Sequence, residues 1–280
     1  MSLRWIADRI GKRESDVPAI PPPRPETWLD PAEAELLPPR SVWVGPDDSI
    51  SHYYRWVWEY LAYLTLIAEL QRHEAVLEIG CGHGRTARGL LSYMRSPGEY
   101  VGIDVHRTRI DDATRRITAK YPNFGFIWAD VRTDVDNPAG LDAANYVFPL
   151  EDARFDVAYG ASLFTHLLPD EAQNYFKEVG RVLKPGGRCL FSFFLLDYYR
   201  GPGTTISSIY EFDSPLPGHD GVAIRDPAAP HAIVGYRMSI VDALARAAGL
   251  EIVKVFPGLW SENSGFAVNE QDLVLFRRLP

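Results

Sequence analysis

From Ser51 onward, apolar residues recur three and four positions apart, at Tyr54, Val57, Trp58, Leu61, Leu64 and on to Leu70. That spacing predicts a long helix buried on most of its circumference, with Ser51 as its N-cap. The texture then changes to short apolar runs separated by amphipathic stretches. Strands are expected at 75–79, 100–104, 125–129, 155–159 and 188–196, and helices at 84–94, 107–120 and 170–183. Strands that are apolar on both faces and alternate with helices make a parallel α/β sheet covered on both sides. The end of the chain reads differently. A helix at 239–248 precedes strands at 251–256 and 272–277, and no helix fits between those two, so they are expected to pair antiparallel.

Two stretches fall outside this alternation. Residues 17–39 carry Pro18, Pro21, Pro22, Pro23, Pro25, Pro31, Pro38 and Pro39, which fix φ and remove backbone donors. The expectation is an irregular arm over 1–50 and one domain over 51–280. The stretch 197–238 is rich in Gly, Pro and aromatic residues without helical periodicity, and a loop that long is usually functional. It is expected to form a lid over an acceptor, with Tyr198, Tyr199, His219, His231 and Tyr236 as substrate-binding candidates.

Composition narrows the function classes. The 280 residues include 29 Lys and Arg against 37 Asp and Glu, a net charge of −8, which argues against nucleic acid as the partner. Two cysteines, Cys81 and Cys189, are too few for a disulfide scaffold or a cysteine zinc site. The apolar run at 60–68 is well short of the roughly 20 residues a membrane helix needs. Residues 1–13 do not read as a secretory signal, so a cytoplasmic protein, with no membrane partner, is expected.

The most informative local string is VLEIGCGHGR at 76–85, where a buried strand runs into Gly80, Cys81, Gly82, His83 and Gly84 and then a helix. Glycines permit a sharp turn and close backbone approach, and the helix start offers free N–H groups. In a parallel sheet this is where ligands bind. The dinucleotide pattern is GxGxxG, whereas here the spacing is GxGxG. Glu78, two residues before the first glycine, disfavours a pyrophosphate and suits an ammonium or sulfonium. The next two strands end in acids, Asp104 and Asp130. The first is placed to accept ribose hydroxyls; the second is placed, with the backbone of Val131, to read an adenine amino edge.

These strings, VLEIGCGHG, VGIDVH and WADV, together with the block FDVAYGASLFTHLLPDEAQNYFKEVGRVLKPGGRCLFSFF, resemble the class I S-adenosylmethionine-dependent methyltransferases. The resemblance is strong over 75–196 and weak over 197–238. It implies a Rossmann-like seven-stranded sheet of order 3-2-1-4-5-7-6 with only the seventh strand antiparallel. It also implies S-adenosylmethionine as cofactor and S-adenosylhomocysteine as product. Carried to matching positions, it assigns the cofactor's methionine part to Gly80, Cys81, Gly82 and Gly84 and to the backbone of Gly160, Ala161 and Ser162. Its ribose goes to Asp104, and its adenine to Val105, Asp130 and Val131. Arg85 is a candidate partner for the cofactor carboxylate or for Glu78. The helix with Tyr53, Tyr54 and Arg55 is placed to close over the methionine end.

Methyl transfer from a sulfonium needs alignment and, for some acceptors, proton removal. His166, in the string SLFTHL, is the candidate general base, with His231 and His219 as alternatives. Asp197, His219 and Asp220 lack metal-ligand spacing, so no metal is expected. The reading is methyl transfer to a small-molecule hydroxyl: a sugar, a phenol or a natural product. Nitrogen or carbon acceptors, a cofactor-binding interaction protein without turnover, and a nicotinamide dehydrogenase are the alternatives. A homodimer is compatible with the sequence.

Overall fold

The computed structural model describes residues 34–39, 50–133, 137–207, 210–261 and 267–280. Two compact units are distinguished, Met1–Tyr54 and Arg55–Pro280. The Pro-rich arm expected over 1–50 lies outside the described residues except for 34–39 and Ile50.

Helix α1 spans Ile50–Leu66. Its buried positions Ile50, Tyr53, Val57, Tyr60 and Leu64 are three and four apart, so one stripe is covered. Trp58 and Leu66 are 50% and 80% exposed, which corrects the expectation of burial on most of the circumference. Ser51 lies inside the helix rather than capping it.

Strand β1 (Ala75–Ile79) is buried throughout because it is central, with parallel neighbours on both sides. Val76 sits opposite Tyr100 of β2 (Glu99–Asp104) and Val157 of β4 (Phe155–Gly160). Strand β3 (Phe124–Trp128) extends the sheet beyond β2. On the other side β4 pairs with β5 (Leu183–Phe193). Helix α2 covers Arg85–Tyr93. Helix α3, Arg107–Ala113, continues into a wider π turn at Thr114–Thr118 where one uniform helix was expected.

Helix α4 (Pro169–Val182) starts on a proline, which has no N–H to leave unpaired. The Glu171 carboxylate accepts the Leu168 N–H at 2.8 Å. The helix packs Phe176 against Phe164 (ring centroids 4.7 Å apart), Phe191 and Phe276, the aromatic heart of the main core. The chain then leaves α4 directly into β5.

The stretch after β5 folds into a small antiparallel sheet, β6 (Ser214–Pro215), β7 (Val222–Ile224) and β8 (Val234–Tyr236). Helix α5 (Met238–Ala247) leads to β9 (Leu250–Phe256), and β10 spans Asp272–Arg278. The large sheet has the order β3-β2-β1-β4-β5-β10-β9. Strand β10 runs antiparallel to both β5 and β9, as the sequence predicts. Among the described residues no helix is long and apolar enough to cross a membrane.

Candidate active site

The loop after β1 is held from below by backbone. The Gly80 and Cys81 N–H groups both reach the Ile103 carbonyl, at 2.8 and 3.2 Å. Gly80, Gly82 and Gly84 have φ of 82°, 54° and 74°, the left-handed region that glycine enters without penalty. Gly84 is doubly required: a Cβ there would lie 2.8 Å from Ile117 Cδ1 and 3.1 Å from the Phe126 ring. The turn therefore packs tightly against α3's extension and β3.

Asp104, at the end of β2, braces this loop. One carboxylate oxygen accepts the Gly82 N–H at 2.7 Å and the other accepts the His106 N–H at 2.9 Å. Each oxygen keeps a second lone pair, and Asp104 lines a cavity of about 530 Å³. The same cavity is lined by Gly80, Val105, Val131, Ala161, Ser162 and His166. Ser162 has φ of 54°, a conformation costly for a residue with a Cβ and typical of functional sites. Its N–H is tied to Ser192 Oγ at 2.7 Å.

Several expected cofactor contacts lie elsewhere. Glu78 is only 2% exposed, and its carboxylate accepts hydroxyl hydrogen bonds from Thr86, Tyr100 and Tyr159 beneath the loop. Burial pushes it up to about 7, so it is a supporting carboxyl, not a cavity wall. Cys81 packs on Gly102, where a Cβ would meet its Sγ at 2.8 Å. Burial first, then the Asp104 charge, raises its thiol well above the ordinary value. Gly82, Gly84 and Gly160 shape the loops without lining the cavity; a Cβ on Gly160 would come within 3.1 Å of the Ile79 carbonyl.

Asp130 is the clearest departure. Its side chain is exposed and accepts from Asn137 Nδ2 at 2.8 Å, while the Val131 N–H turns back to the Ala129 carbonyl at 2.7 Å. The acid that lines the cavity there is Asp142, which also caps the 3-10 turn Ala143–Asn145 through the Ala144 N–H. The sequence signal for it, an Asp two residues before an N–H it can cap, is shared by many turns. The Arg85 guanidinium lies 4.9 Å over the Trp56 ring, and its charge acts on Glu78, one of the two partners expected for it.

The insertion brings one candidate to the cavity. His231 lines it, and its carbonyl accepts from His166 Nδ1 at 3.0 Å. The His231 ring Nε2 lies 3.1 Å from Glu171. The other candidates are directed elsewhere. Tyr236 is buried with its hydroxyl donating to the Leu167 carbonyl. Tyr199 stacks near Phe212 and Trp260 and donates to Asp213. Tyr198 packs against the main core, and His219 is absent from the lining. Asp197 accepts the Met238 N–H at 2.6 Å at the start of α5. Aromatic residues in this stretch bury because apolar area outweighs any polar use of their edges. Glu171, Leu163, Leu167 and Tyr175 also line the cavity and were missed, since their spacing reads as ordinary helix and core.

Gly80 of the glycine turn, the Asp104 carboxylate and the strained Ser162 backbone border one cavity. Residues 76–187 match the family described as "Methyltransferase domain". The phthiotriol/phenolphthiotriol dimycocerosates methyltransferase 1 of Mycobacterium ulcerans is 34% identical over 117 residues, covering 42% of this chain and 36% of that protein. The fatty-acid O-methyltransferase of Mycolicibacterium smegmatis is 34% identical over 122 residues, with the same two shares. The chain thus spans about a third of the length of these relatives. A tRNA N(3)-methylcytidine methyltransferase of Schizosaccharomyces pombe is also similar, 27% identical over 139 residues, covering 49% of this chain and 42% of that protein. A solved S-adenosylmethionine-dependent methyltransferase from Methanosarcina mazei aligns with a TM-score of 0.51 at 21% identity, covering 78% of this chain and 98% of that one. The fold and the family match agree: residues 76–187 are similar to a methyltransferase domain, set in the fold shared with solved S-adenosylmethionine-dependent methyltransferases.

Proposed function

We propose that this chain methylates a hydroxyl oxygen of a small-molecule acceptor, with His166 as general base. The observation that carries the reading is the mounting of His166. A carbonyl oxygen has lone pairs only, so the Nδ1 that meets the His231 carbonyl at 3.0 Å must hold the proton. In the neutral ring that leaves the lone pair on Nε2. Glu171 steadies the mount from both sides: one oxygen holds the His231 ring and the other the Leu168 N–H at the start of α4.

The cofactor would be held by the Gly80 turn, by the Asp104 carboxylate at its ribose and by the Ala161–Ser162 backbone. When bound, it supplies a methyl group on a positively charged sulfur. His166 then takes the acceptor's hydroxyl proton at Nε2 as that oxygen becomes bonded to carbon. Leu163, Leu167 and Tyr175, which line the same cavity, favour an acceptor with an apolar body. The net charge of −8 supports a small acceptor, although a relative that by name acts on tRNA shows that the domain type alone does not select one.

The variant His166→Asn tests the assignment, because its amide can still donate to the His231 carbonyl but cannot act as a base. With a hydroxylated lipid, phenol or sugar as acceptor, kcat for S-adenosylhomocysteine release should fall about 10²- to 10⁴-fold. With a carboxylate acceptor, which has no proton to lose, it should change little. An equal rate on the hydroxyl acceptor removes the base role. Turnover on tRNA, and on none of the small acceptors, would replace the acceptor class.

A further inference from the structure

The glycine loop carries one side chain that the cofactor reading leaves without a role. His83 stands between two glycines in the left-handed region, at φ of 54° and 74°. Such a loop crest has few conformational restraints of its own. Here it is clamped from outside. His83 Nδ1 lies 3.1 Å from the Asp112 carboxylate, and Arg116 donates both to that carboxylate and to the His83 carbonyl, the latter at 3.2 Å. Arg115 donates to the second Asp112 oxygen at 2.9 Å. Histidine ring, carboxylate and guanidinium so form a closed circuit that begins and ends on the same residue.

The circuit sits on the π turn that follows α3. The Ala119 N–H reaches back five residues to the Thr114 carbonyl, at 3.3 Å. Widened turns of this kind are frequent at functional sites. This one also presents Ile117 to Gly84, so the same short segment holds the loop by contact at Gly84 and by hydrogen bonds at His83. Burial lowers the His83 ring below its ordinary value. Hydrogen bonds from Arg116 and His83 outweigh the effect of burial on Asp112 and hold its carboxyl low. A neutral ring facing a carboxylate donates through Nδ1.

We infer that Asp112 and Arg116, acting through His83, are positioning residues that preset the glycine loop for the cofactor. This rests on the assignment of 80–84 as the cofactor loop. A loop held in its binding shape gives up less freedom when ligand arrives, so losing the clamp should weaken binding without touching the transfer step.

The test is calorimetric titration of S-adenosylhomocysteine into wild type, His83→Leu, His83→Asn, Asp112→Asn and the double variant His83→Leu/Asp112→Asn, with KM and kcat measured alongside. His83→Leu, which loses the hydrogen bond to the carboxylate, and Asp112→Asn, which keeps an acceptor but loses the charge that Arg116 and the His83 ring meet, should each raise Kd on the order of tenfold. The double variant should be little worse than either single one, because both break one circuit. The Asn amide occupies the place of Nδ1, so His83→Asn should recover most of the affinity. The loss should appear in KM for the cofactor rather than in kcat. Wild-type affinity in His83→Leu, strict additivity in the double variant, or a loss confined to kcat would each overturn the inference. If Asp112→Asn fails to fold, the Leu and Asn variants of His83 still decide it. Failure of wild type to bind at all would instead overturn the cofactor-loop assignment.

Discussion

At the carboxyl ends of β1 and β2, hydrogen bonds to the main chain of the loop do the positioning. Ile103 offers its carbonyl to two loop N–H groups, Asp104 takes a third from Gly82, and positive-φ glycines make the turn. In the insertion between β5 and α5, side-chain packing does it instead. Phe194, Phe212 and Trp260 form a second apolar cluster with Ala223, and the Trp260 indole donates to buried Asp272 at 2.8 Å. The first arrangement tolerates few residue types at few positions; the second tolerates many, provided they fill space. A binding loop built the first way is specified by local rules, whereas a surface excursion built the second way is specified by what it leans on.

Substitution separates the two designs. Trp260→Ala should have the largest effect, destabilising the chain by about 3–5 kcal/mol, measured by denaturant unfolding. Cofactor affinity of the folded fraction should stay near wild type, since Trp260 does not line the cavity; a parallel loss of affinity would show that the two regions are coupled.

Glu78→Gln probes the buried support under the loop. The Glu78 carboxyl, raised from 4.5 to about 7 by burial, is protonated in the folded chain over a range where the unfolded chain has lost that proton. Its contribution is therefore complete below about pH 4.5, declines as pH rises toward 7 and is constant above. The shift is worth roughly 3 kcal/mol. The glutamine variant should lose this decline, so its stability should gain on wild type between those pH values; parallel stability–pH curves would refute the buried-carboxyl account. The smallest of the three is Gly84→Ala, at about 1–3 kcal/mol. Unlike Trp260→Ala, it should also weaken cofactor binding, because the collision with Ile117 and Phe126 displaces the loop itself.

The same contrast explains what could be read from the sequence. The parallel sheet and its antiparallel end were legible because doubly buried strands and the missing helix between β9 and β10 are local patterns, whereas the strand order followed only from the resemblance of the 75–196 motifs to a known family. Asp104 and the glycine turn were legible because position at a strand end fixes their direction. Asp130 was misjudged because its neighbour Asn137 captures the carboxylate, a contact set by how 137–142 folds back. Tyr198, Tyr199 and Tyr236 lie away from the cavity because their rings pack on other apolar groups, Tyr236 fully buried and the other two partly so. His231 reaches the cavity through the fold of the small β6–β8 sheet, which no spacing rule encodes.

Strand β10 comes last in chain order but lies between β5 and β9. On the ribosome, β5 must wait as an open edge, with its N–H and C=O groups unpaired, until residues 272–278 have emerged. Strand β9 cannot pair into the sheet before then either, because its neighbour in the sheet is β10. The glycine loop after β1, proposed to hold the cofactor, has its β1 and β2 supports in place long before this. A nascent chain could thus hold its ligand-binding half in order while exposing a sticky edge at the other end, and bound cofactor would then act as a folding aid during synthesis.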